Sequence, residues 1–361
     1  MPQNEPHQHF NRPADSSVSS PPQVLSLQTP DAFNQAVETA ARHLEAGEVV
    51  VVPTETVYGL AANAFDAAAV SRIYKLKGRP SHNPIIVHVA TAEMIAECAL
   101  EWPDAAKKLA QAFWPGPLTL VVRKSDRVPS LVTAGGETVG LRWPSHPFMQ
   151  ALIRRCGFPL AAPSANLANQ LSPTSAEHVL RNLPGPLQLV VDGGGANVGI
   201  ESTVVDVSVV PARILRPGMI HQEAIAVVVP VATPIAAKSS TDATSPLRSP
   251  GMLTKHYSPK ARLRLMSWSD ESDLRRQLAL ELGSNEALRI QILCHTQVPM
   301  GFEPDEVSVF PHDAEAFARA LYAELHRCDE ERVELIVVEW PPEGAEWQGV
   351  RDRLSRAAAP A

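Results

Sequence analysis

Residues 75–89 read KLKGRPSHNPIIVHV, and this stretch joins a basic turn to an apolar run that is typical of a buried strand. The turn carries three cations, Lys75, Lys77 and Arg79. Far downstream, residues 159–166 read PLAAPSAN, a second apolar run that ends in a hydroxyl and an amide. Fixed cations together with such donors are the groups that hold a phosphate and stabilise its charge. A solvated basic loop is the alternative for the cation cluster taken by itself.

On both sides of this stretch, apolar runs alternate with helical stripes. The strand-like runs lie at 48–53, 85–89, 118–123, 139–142, 160–162, 189–192, 203–207 and 213–215. The helical patterns lie at 31–46, 66–78, 91–100, 104–113, 147–156 and 175–183. This mixture predicts an α/β domain around a mixed sheet over residues 24–230.

The remainder of the chain divides into three further parts. Residues 1–23 are rich in Pro, Gln, Ser and His and predict a disordered leader. Residues 231–259 have a linker composition that ends in SPGMLTKHYSP, which suggests a tethered lid. Residues 260–361 alternate strand and helix patterns and predict a smaller Rossmann-like domain. No GxGxxG follows its first strand, so a dinucleotide is not implied.

Composition limits the class of protein. The 361 residues carry a formal net charge of -7, which argues against an extended nucleic-acid-binding surface and predicts weak or absent direct contact with nucleic acids. The four cysteines show no CxxC spacing, so neither a disulfide framework nor a metal site is expected. No apolar run approaches the roughly 20 residues that span a membrane. We therefore expect a cytoplasmic protein without membrane association.

Polar side chains follow several of the predicted strands. Thr54 and Thr56 come directly after the first one, where ligands of α/β sheets bind, although a turn with self-satisfied hydroxyls is the alternative. His88 lies within its strand and is either a ligand-facing or a structural histidine. Arg142 closes another strand, and it needs either a ligand anion or an internal salt bridge.

Further along the chain, Ser202 precedes a strand and Arg216 closes the next one. The recurring pattern is a hydroxyl or a cation at the end of an apolar strand. Neither a phosphate-binding Walker loop nor a nucleophile triad is present in the sequence. Converging groups of this kind suit a compound anionic ligand, such as ATP together with an amino acid.

At this point the sequence resembles a known family. The motifs are PTETVYGLAANA (53–64), KLKGRPSHNPIIVHV (75–89), FWPGPLTLV (113–121), VGLRWPSHP (139–147), APSANLANQLSPTS (162–175), VGIESTVVD (198–206) and ILRPG (214–218). In this order they resemble the YrdC-type threonylcarbamoyl-adenylate synthases, and the extra C-terminal part resembles the long, two-domain form. The resemblance implies a YrdC-like twisted mixed sheet with flanking helices, plus a smaller Rossmann-like C-terminal domain.

The resemblance also implies a reaction. Members make threonylcarbamoyl-AMP and pyrophosphate from L-threonine, bicarbonate and ATP, with Mg²⁺ accompanying the ATP. The product passes to a tRNA threonylcarbamoyl transferase complex, which modifies an adenosine next to the anticodon.

Motif positions carry the expected site residues. The residues around the phosphates and the reacting centre are Lys77, Arg79, Ser164 and Asn166. The residues around L-threonine are Thr54, Thr56, His88, Arg142, Ala162 and Ser202. The residues around ATP are Lys77, Ser81, Thr138, Ser164, Ser172, Arg216 and Tyr257, the last of which is expected to close over the nucleotide. Either Arg142 or Arg79 would pair with the threonine carboxylate.

Two alternatives stay open at this stage. One is a binding module of this fold that grips double-stranded RNA without catalysis, which the net acidity disfavours. The other is a carbamoyl or adenylyl transfer like that of the hydrogenase-maturation relatives, which act on carbamoyl phosphate. Those relatives usually carry zinc-finger and acylphosphatase modules that this sequence does not show.

Overall fold

A computed structural model describes residues 21–232, 249, 256–283 and 288–359. Within these residues, a ten-stranded mixed sheet and a four-stranded parallel sheet are flanked by helices. This confirms the predicted α/β class. The predicted leader falls almost wholly on residues 1–20, which lie outside the described residues. Most of the predicted linker also lies outside them.

The large sheet has the strand order β1-β8-β2-β3-β7-β4-β6-β5-β9-β10. Its strands are β1 (Gln23–Ser26), β2 (Val50–Val52), β3 (Gly59–Asn63), β4 (Val87–His88), β5 (Leu118–Arg123), β6 (Thr138–Arg142), β7 (Leu160–Ala161), β8 (Leu189–Asp192), β9 (Thr203–Asp206) and β10 (Arg213–Arg216). The helices of this part are α1 (Pro30–Glu45), α2 (Ala67–Lys77), α3 (Ala92–Cys98), α4 (Asp104–Phe113), α5 (Pro147–Cys156), α6 (Ala176–Asn182) and α7 (Gln222–Val228).

The smaller sheet has the order β11-β14-β12-β13 and is parallel throughout, as the alternating pattern predicted. Its strands are β11 (Arg262–Met266), β12 (Ile290–Cys294), β13 (Val307–Val309) and β14 (Leu335–Glu339). Its helices are α8 (Glu271–Leu282), α9 (Ala314–Glu330) and α10 (Gln348–Ala357), with short 3₁₀ turns at Pro304–Glu306 and Ala345–Trp347.

Three elements of the first part were missed by the sequence analysis. Strand β1 pairs with β8 and already begins at Gln23, so the sheet starts inside the segment predicted as a leader. Strand β3 pairs antiparallel with β2, but its Gly-Leu-Ala-Ala-Asn sequence lacks the β-branched residues that mark a strand. Helix α7 is short, and its apolar residues do not stand out from the preceding turn. Strand β3 is therefore stabilised by pairing and burial more than by local propensity.

Helix α2 positions the basic turn. The Asp66 side chain caps its first turn by accepting hydrogen bonds from two backbone N–H groups. The helix ends at Gly78, whose left-handed conformation (φ 57°) reverses the chain at low cost. Lys77 is therefore the last helical residue, and Arg79 lies just beyond the turn.

Strand order determines which strand ends meet. Strand β4 lies between β6, to which it is parallel, and β7, to which it is antiparallel. His88 is in register with Arg142 on β6 and with Leu160 on β7. An isolated bridge also pairs Gly59 with Ser164. Residues from distant parts of the sequence therefore come together where the ends of these strands meet.

The second part of the chain packs against the first through an apolar interface. One hydrophobic cluster combines residues of the first part with residues of α9 and α10. This cluster includes Val57, Leu171, Ile200, Phe317, Leu321 and Leu354. At Gly199 (φ 84°) an added Cβ would lie 2.3 Å from the carbonyl oxygen of Ala318 on α9, so the two backbones are in direct contact. Over the described residues, the helices are all too short or too polar to cross a membrane.

Candidate active site

The converging strand ends line a cavity that opens to solvent, and the empty space in the cavity and its mouth together is about 540 Å³. Ten of the predicted site residues line it: Thr54, Thr56, Arg79, His88, Arg142, Ala162, Ser164, Ser202, Arg216 and Tyr257. Three further predicted residues contact this lining through hydrogen bonds. Lys77 donates to the carbonyls of Ser164 and Asn166. Ser172 donates to Glu201, which is part of the lining. The cavity therefore collects the groups that motif positions had suggested.

The two threonines form a tight turn after β2. The Thr54 hydroxyl donates to the carbonyl of Val57 (2.6 Å) and accepts from the backbone N–H groups of Thr56 and Val57. Because that donation uses the one hydroxyl hydrogen of Thr54, the 3.0 Å contact between the two hydroxyls is donated by Thr56. Thr56 then retains acceptor capacity toward the cavity, which suits an amine ligand.

A buried ion pair lies beside these threonines. Arg142 Nη2 is 2.8 Å from Glu55 Oε1, and the two side chains are 5% and 6% exposed. The internal salt bridge considered from the sequence therefore exists. Burial by itself opposes ionisation of Glu55, but the charge of Arg142, together with polar contacts to the carboxylate from Arg142 and the backbone, outweighs burial and holds the pKa of this carboxyl below its usual value. Even so, Arg142 Nε and Nη2 make no hydrogen bond of acceptable geometry. A buried guanidinium facing a cavity with unsatisfied N–H groups is suited to binding a further anion.

His88 stands next to Arg142 across the β4–β6 pair. Burial, reinforced by the positive charge of Arg142, lowers the pKa of His88 to about 3. The imidazole is therefore neutral at neutral pH. Its Nδ1 has no hydrogen-bond partner among the described residues. A neutral ring with a free nitrogen can bind a ligand without adding charge.

Lys77 holds the polar loop that follows β7. Its Nζ donates to the carbonyl oxygens of Ser164 and Asn166, both at 2.5 Å, and contacts Asn166 Oδ1 at 3.3 Å. Burial, together with the charge of Arg79, lowers the pKa of Lys77 well below its usual value. Lys75 is exposed by contrast, so the solvated-loop alternative describes Lys75 but not Lys77.

Two further arginines supply positive charge to the cavity. Arg79 donates to the carbonyl oxygens of Asn83 (3.0 Å) and Pro84 (2.5 Å), which fixes its direction. Burial lowers the pKa of Arg79 to about 10, so it remains protonated at neutral pH. Arg216 donates to the Ser202 carbonyl (3.0 Å) and hydroxyl (3.1 Å) at the mouth of β9.

The sequence analysis missed Glu201, a carboxylate in the lining of the cavity. It accepts hydrogen bonds from Ser172 Oγ (2.5 Å) and from Arg353 Nε of α10 (2.7 Å). Burial raises its pKa, but the charges of Arg353 and Arg216 outweigh burial and bring the pKa to about 2. The run Gly-Ile-Glu-Ser was visible in the sequence, but the distant cation that allows an acid to be buried there was not.

Tyr257 belongs to the described end of the predicted lid. It is 1% exposed and lines the cavity, and its hydroxyl is 3.5 Å from Arg216 Nη1. The adjacent Ser258 donates its N–H to the Asn169 carbonyl (3.0 Å), which attaches this segment to the first domain. His256 also lines the cavity and was not predicted as a site residue. Lys255, quoted in the lid motif, lies outside the described residues.

Two predicted residues are not brought to this cavity. Ser81 is exposed in the turn beyond α2. Thr138 begins β6, pairs with Arg123, and lines a separate, smaller cavity. Their assignment to the ATP site therefore stays a prediction without support from the geometry.

Comparison with known proteins places this site in a family. A family model described as "Telomere recombination" matches residues 42–218, and one described as "Threonylcarbamoyl-AMP synthase, C-terminal domain" matches residues 220–359. A threonylcarbamoyl-AMP synthase of Pyrococcus abyssi is 37% identical over 326 residues, which cover 89% of this chain and 94% of that protein. The chain belongs to the threonylcarbamoyl-AMP synthase family.

Other members agree with this assignment. The Bacillus subtilis threonylcarbamoyl-AMP synthase is 40% identical over 326 residues, covering 89% of this chain and 92% of that protein. The crystal structure of P. abyssi Sua5 complexed with L-threonine has a TM-score of 0.82 and 35% identity, covering 93% of this chain and 96% of that one. The two-domain organisation of the synthase is therefore shared along almost the whole chain.

Proposed function

We propose that this chain is a threonylcarbamoyl-AMP synthase, which joins L-threonine, bicarbonate and ATP into threonylcarbamoyl-AMP with release of pyrophosphate. Family membership over nearly the full length supports the reaction. The observation that carries the proposal at the site is the buried Arg142, whose unsatisfied nitrogens share one cavity with Arg79 and Arg216. One small cavity thus offers an anion site for an amino acid and cations for a nucleotide.

L-threonine would occupy the end of the cavity beside Glu55. Arg142 would bind its carboxylate, because its Nε makes no hydrogen bond and its Nη2 contacts only Glu55, whereas Arg79 is already held by two carbonyls. Thr56 would accept a hydrogen bond from the amine, and neutral His88 would contact the ligand without repelling either charge. The proposal therefore favours Arg142 over Arg79 as the partner of the threonine carboxylate, a choice that the sequence left open.

ATP would occupy the end of the cavity near Arg79, Arg216 and Tyr257. The two guanidinium groups would neutralise the phosphates, and Lys77 would act through the loop that it holds at Ser164. The ring of Tyr257 would cover the nucleotide and exclude water from the adenylate product. Restricting water matters because a mixed anhydride with AMP hydrolyses easily.

The chemistry needs positioning more than covalent participation by the protein. The threonine amine forms an N–C bond to bicarbonate carbon, with loss of water, and yields a carbamate. A carbamate oxygen then attacks the α-phosphorus of ATP while the bond to the pyrophosphate oxygen breaks, so pyrophosphate leaves. The fixed cations stabilise the charge that develops on the phosphates. No protein nucleophile is required.

Mg²⁺ fits this site as a companion of ATP. Among the described residues, no cluster of three or more His, Cys, Asp or Glu could hold a metal ion. Glu201 is the carboxylate in the described lining, and its oxygens are occupied by Ser172 and Arg353. Mg²⁺ commonly binds through substrate phosphates with few protein ligands, and there it neutralises phosphate charge. We propose that the metal enters with ATP.

We also propose that the product, threonylcarbamoyl-AMP, passes to a tRNA threonylcarbamoyl transferase complex.

The test is pyrophosphate release from ATP and bicarbonate, measured with each amino acid in turn. We expect release that depends on threonine and on bicarbonate. Arg142→Gln should raise the KM for threonine much more than the KM for ATP, whereas Arg155→Gln, on the exposed face of α5, should change neither. Release that is absent or independent of threonine would overturn the proposal. Salt-dependent RNA binding without ATP turnover would favour the RNA-binding alternative.

A further inference from the structure

A side chain of the C-terminal domain reaches into the first domain beside the cavity. Arg353 lies on α10 and its side chain is 0% exposed. Its Nε donates to Glu201 Oε2 (2.7 Å), its Nη2 to the Glu201 carbonyl (3.2 Å), and its Nη1 to the Pro217 carbonyl (3.0 Å). Its guanidinium carbon also lies 5.1 Å from the centre of the Tyr257 ring. One residue of the second domain thus contacts three segments around the cavity.

The charge of Glu201 explains why a cation is needed there. An acidic side chain in the lining of a cavity that receives a triphosphate would repel the ligand. Arg353 pairs with this carboxylate, while Ser172 and Tyr322 hydrogen-bond to its two oxygens (2.5 and 3.3 Å). With these partners the carboxylate becomes a fixed, neutralised anchor for the segments around it.

The contacts of Arg353 fall on one side of the cavity. Ser172, Arg216 and Tyr257 are the residues expected around ATP, and each is joined to Glu201, to Arg353 or to the neighbouring Ser202. Of the residues expected around threonine, Thr54, Thr56 and His88 instead lie beside the separate Glu55–Arg142 pair. Ser202 is the exception, because it follows Glu201 in the chain and hydrogen-bonds to Arg216. Loss of Arg353 should therefore weaken the binding of ATP more than the binding of threonine.

We propose that Arg353, supplied by the C-terminal domain, is a positioning residue for the ATP side of the synthase site, where it neutralises Glu201 and orders Ser172 and Tyr257. The inference rests on the proposed function, because it assigns the ATP side of that same cavity. It gives the second domain a role in binding the nucleotide that acts through the residues Arg353 positions. The apolar packing of α9 and α10 holds the domain in place, and Arg353 couples it to the site.

The test compares full-length variants by pyrophosphate release at temperatures below their unfolding transitions. Arg353→Gln should raise the KM for ATP by about 5- to 150-fold, the range typical of coupling between sites, and leave the KM for threonine nearly unchanged. The double variant Glu201→Gln/Arg353→Gln removes both charges and should recover most of the ATP affinity. The matched control is Arg319→Gln, an exposed residue whose Nε also crosses the interface to the Asn197 carbonyl (2.8 Å); it should behave like wild type.

Arg353→Lys provides a second measurement if the glutamine variant does not fold. It keeps the charge but cannot reach Glu201 and Pro217 together, so the KM for ATP should rise by less than in Arg353→Gln. The inference is overturned if the variants of Arg353 unfold at lower temperature but keep the wild-type KM for ATP. It is equally overturned if the KM values for both substrates rise together, or if the double variant does not recover. Wild-type protein without threonine-dependent release would instead overturn the proposed function.

Discussion

Glu55 contributes to the pH dependence of the free energy of unfolding, and Arg142→Met should reverse the sign of that contribution. Arg142 Nη2 is 2.8 Å from Glu55 Oε1, and both side chains are nearly inaccessible to water. Removing one partner of a buried ion pair costs about 3–5 kcal/mol, because the remaining charge is left uncompensated. We therefore expect the free energy of unfolding of Arg142→Met at neutral pH to fall by about that amount.

The sign of the pH effect follows from the pKa of Glu55. In the wild type Arg142 holds this pKa below its usual value of 4.5, so the carboxylate contributes stability above pH 4.5 that is lost as the pH falls through the lowered pKa. In Arg142→Met burial acts without the cation and raises the pKa above 4.5. The folded variant then binds a proton that the unfolded chain does not. Its stability should decrease as the pH rises from 4.5 through the raised pKa.

Urea unfolding followed by tryptophan fluorescence measures this effect at a series of pH values. The matched control is Glu55→Gln/Arg142→Met, which has no carboxylate to titrate. The free-energy difference between the control and Arg142→Met should grow with pH, by about 1.4 kcal/mol for each unit of pKa shift. A difference that is independent of pH, or a loss below about 1 kcal/mol at neutral pH, would refute the reasoning, since it would show that Glu55 is not a buried, compensated charge.

Other expectations follow from the same contacts. Lys77→Met should abolish pyrophosphate release and also lower stability, because two carbonyls lose their hydrogen-bond donor, whereas exposed Lys75→Met should retain both. Gly199→Ala should lower the unfolding temperature and the activity, since its Cβ would overlap the backbone of α9; Gly195→Ala, with no atom within 4 Å, should change neither. NMR should find His88 neutral from pH 5 to 8, because burial lowers its pKa to about 3. Between pH 6.5 and 3 the unfolded chain binds a proton at His88 that the folded protein does not. His88→Gln should therefore lose less stability than the wild type as the pH decreases from 6.5 to 3.

Local pattern was sufficient for most of the secondary structure. The helix over 66–78 was predictable because Asp66 caps it and Gly78 ends it, and both signals act within a few residues. The strand that contains His88 and the alternating elements after residue 260 were predictable from equally local patterns. Strand β3 was not, since its small residues become a strand only by pairing with β2 and β7.

The residues of the site likewise divide into features that the sequence predicted and features that only the fold decided. The sequence by itself determined which side chains stand at the ends of strands and helices, including Thr54, Lys77 and Arg142, and its ordered motifs indicated the chemistry. Only the tertiary structure decided their partners. Strand order brings His88 beside Arg142, and domain packing brings Arg353 to Glu201 across 152 residues of chain. Periodicity and capping act over one or two turns, whereas the burial of a charge depends on whatever group the completed fold places against it.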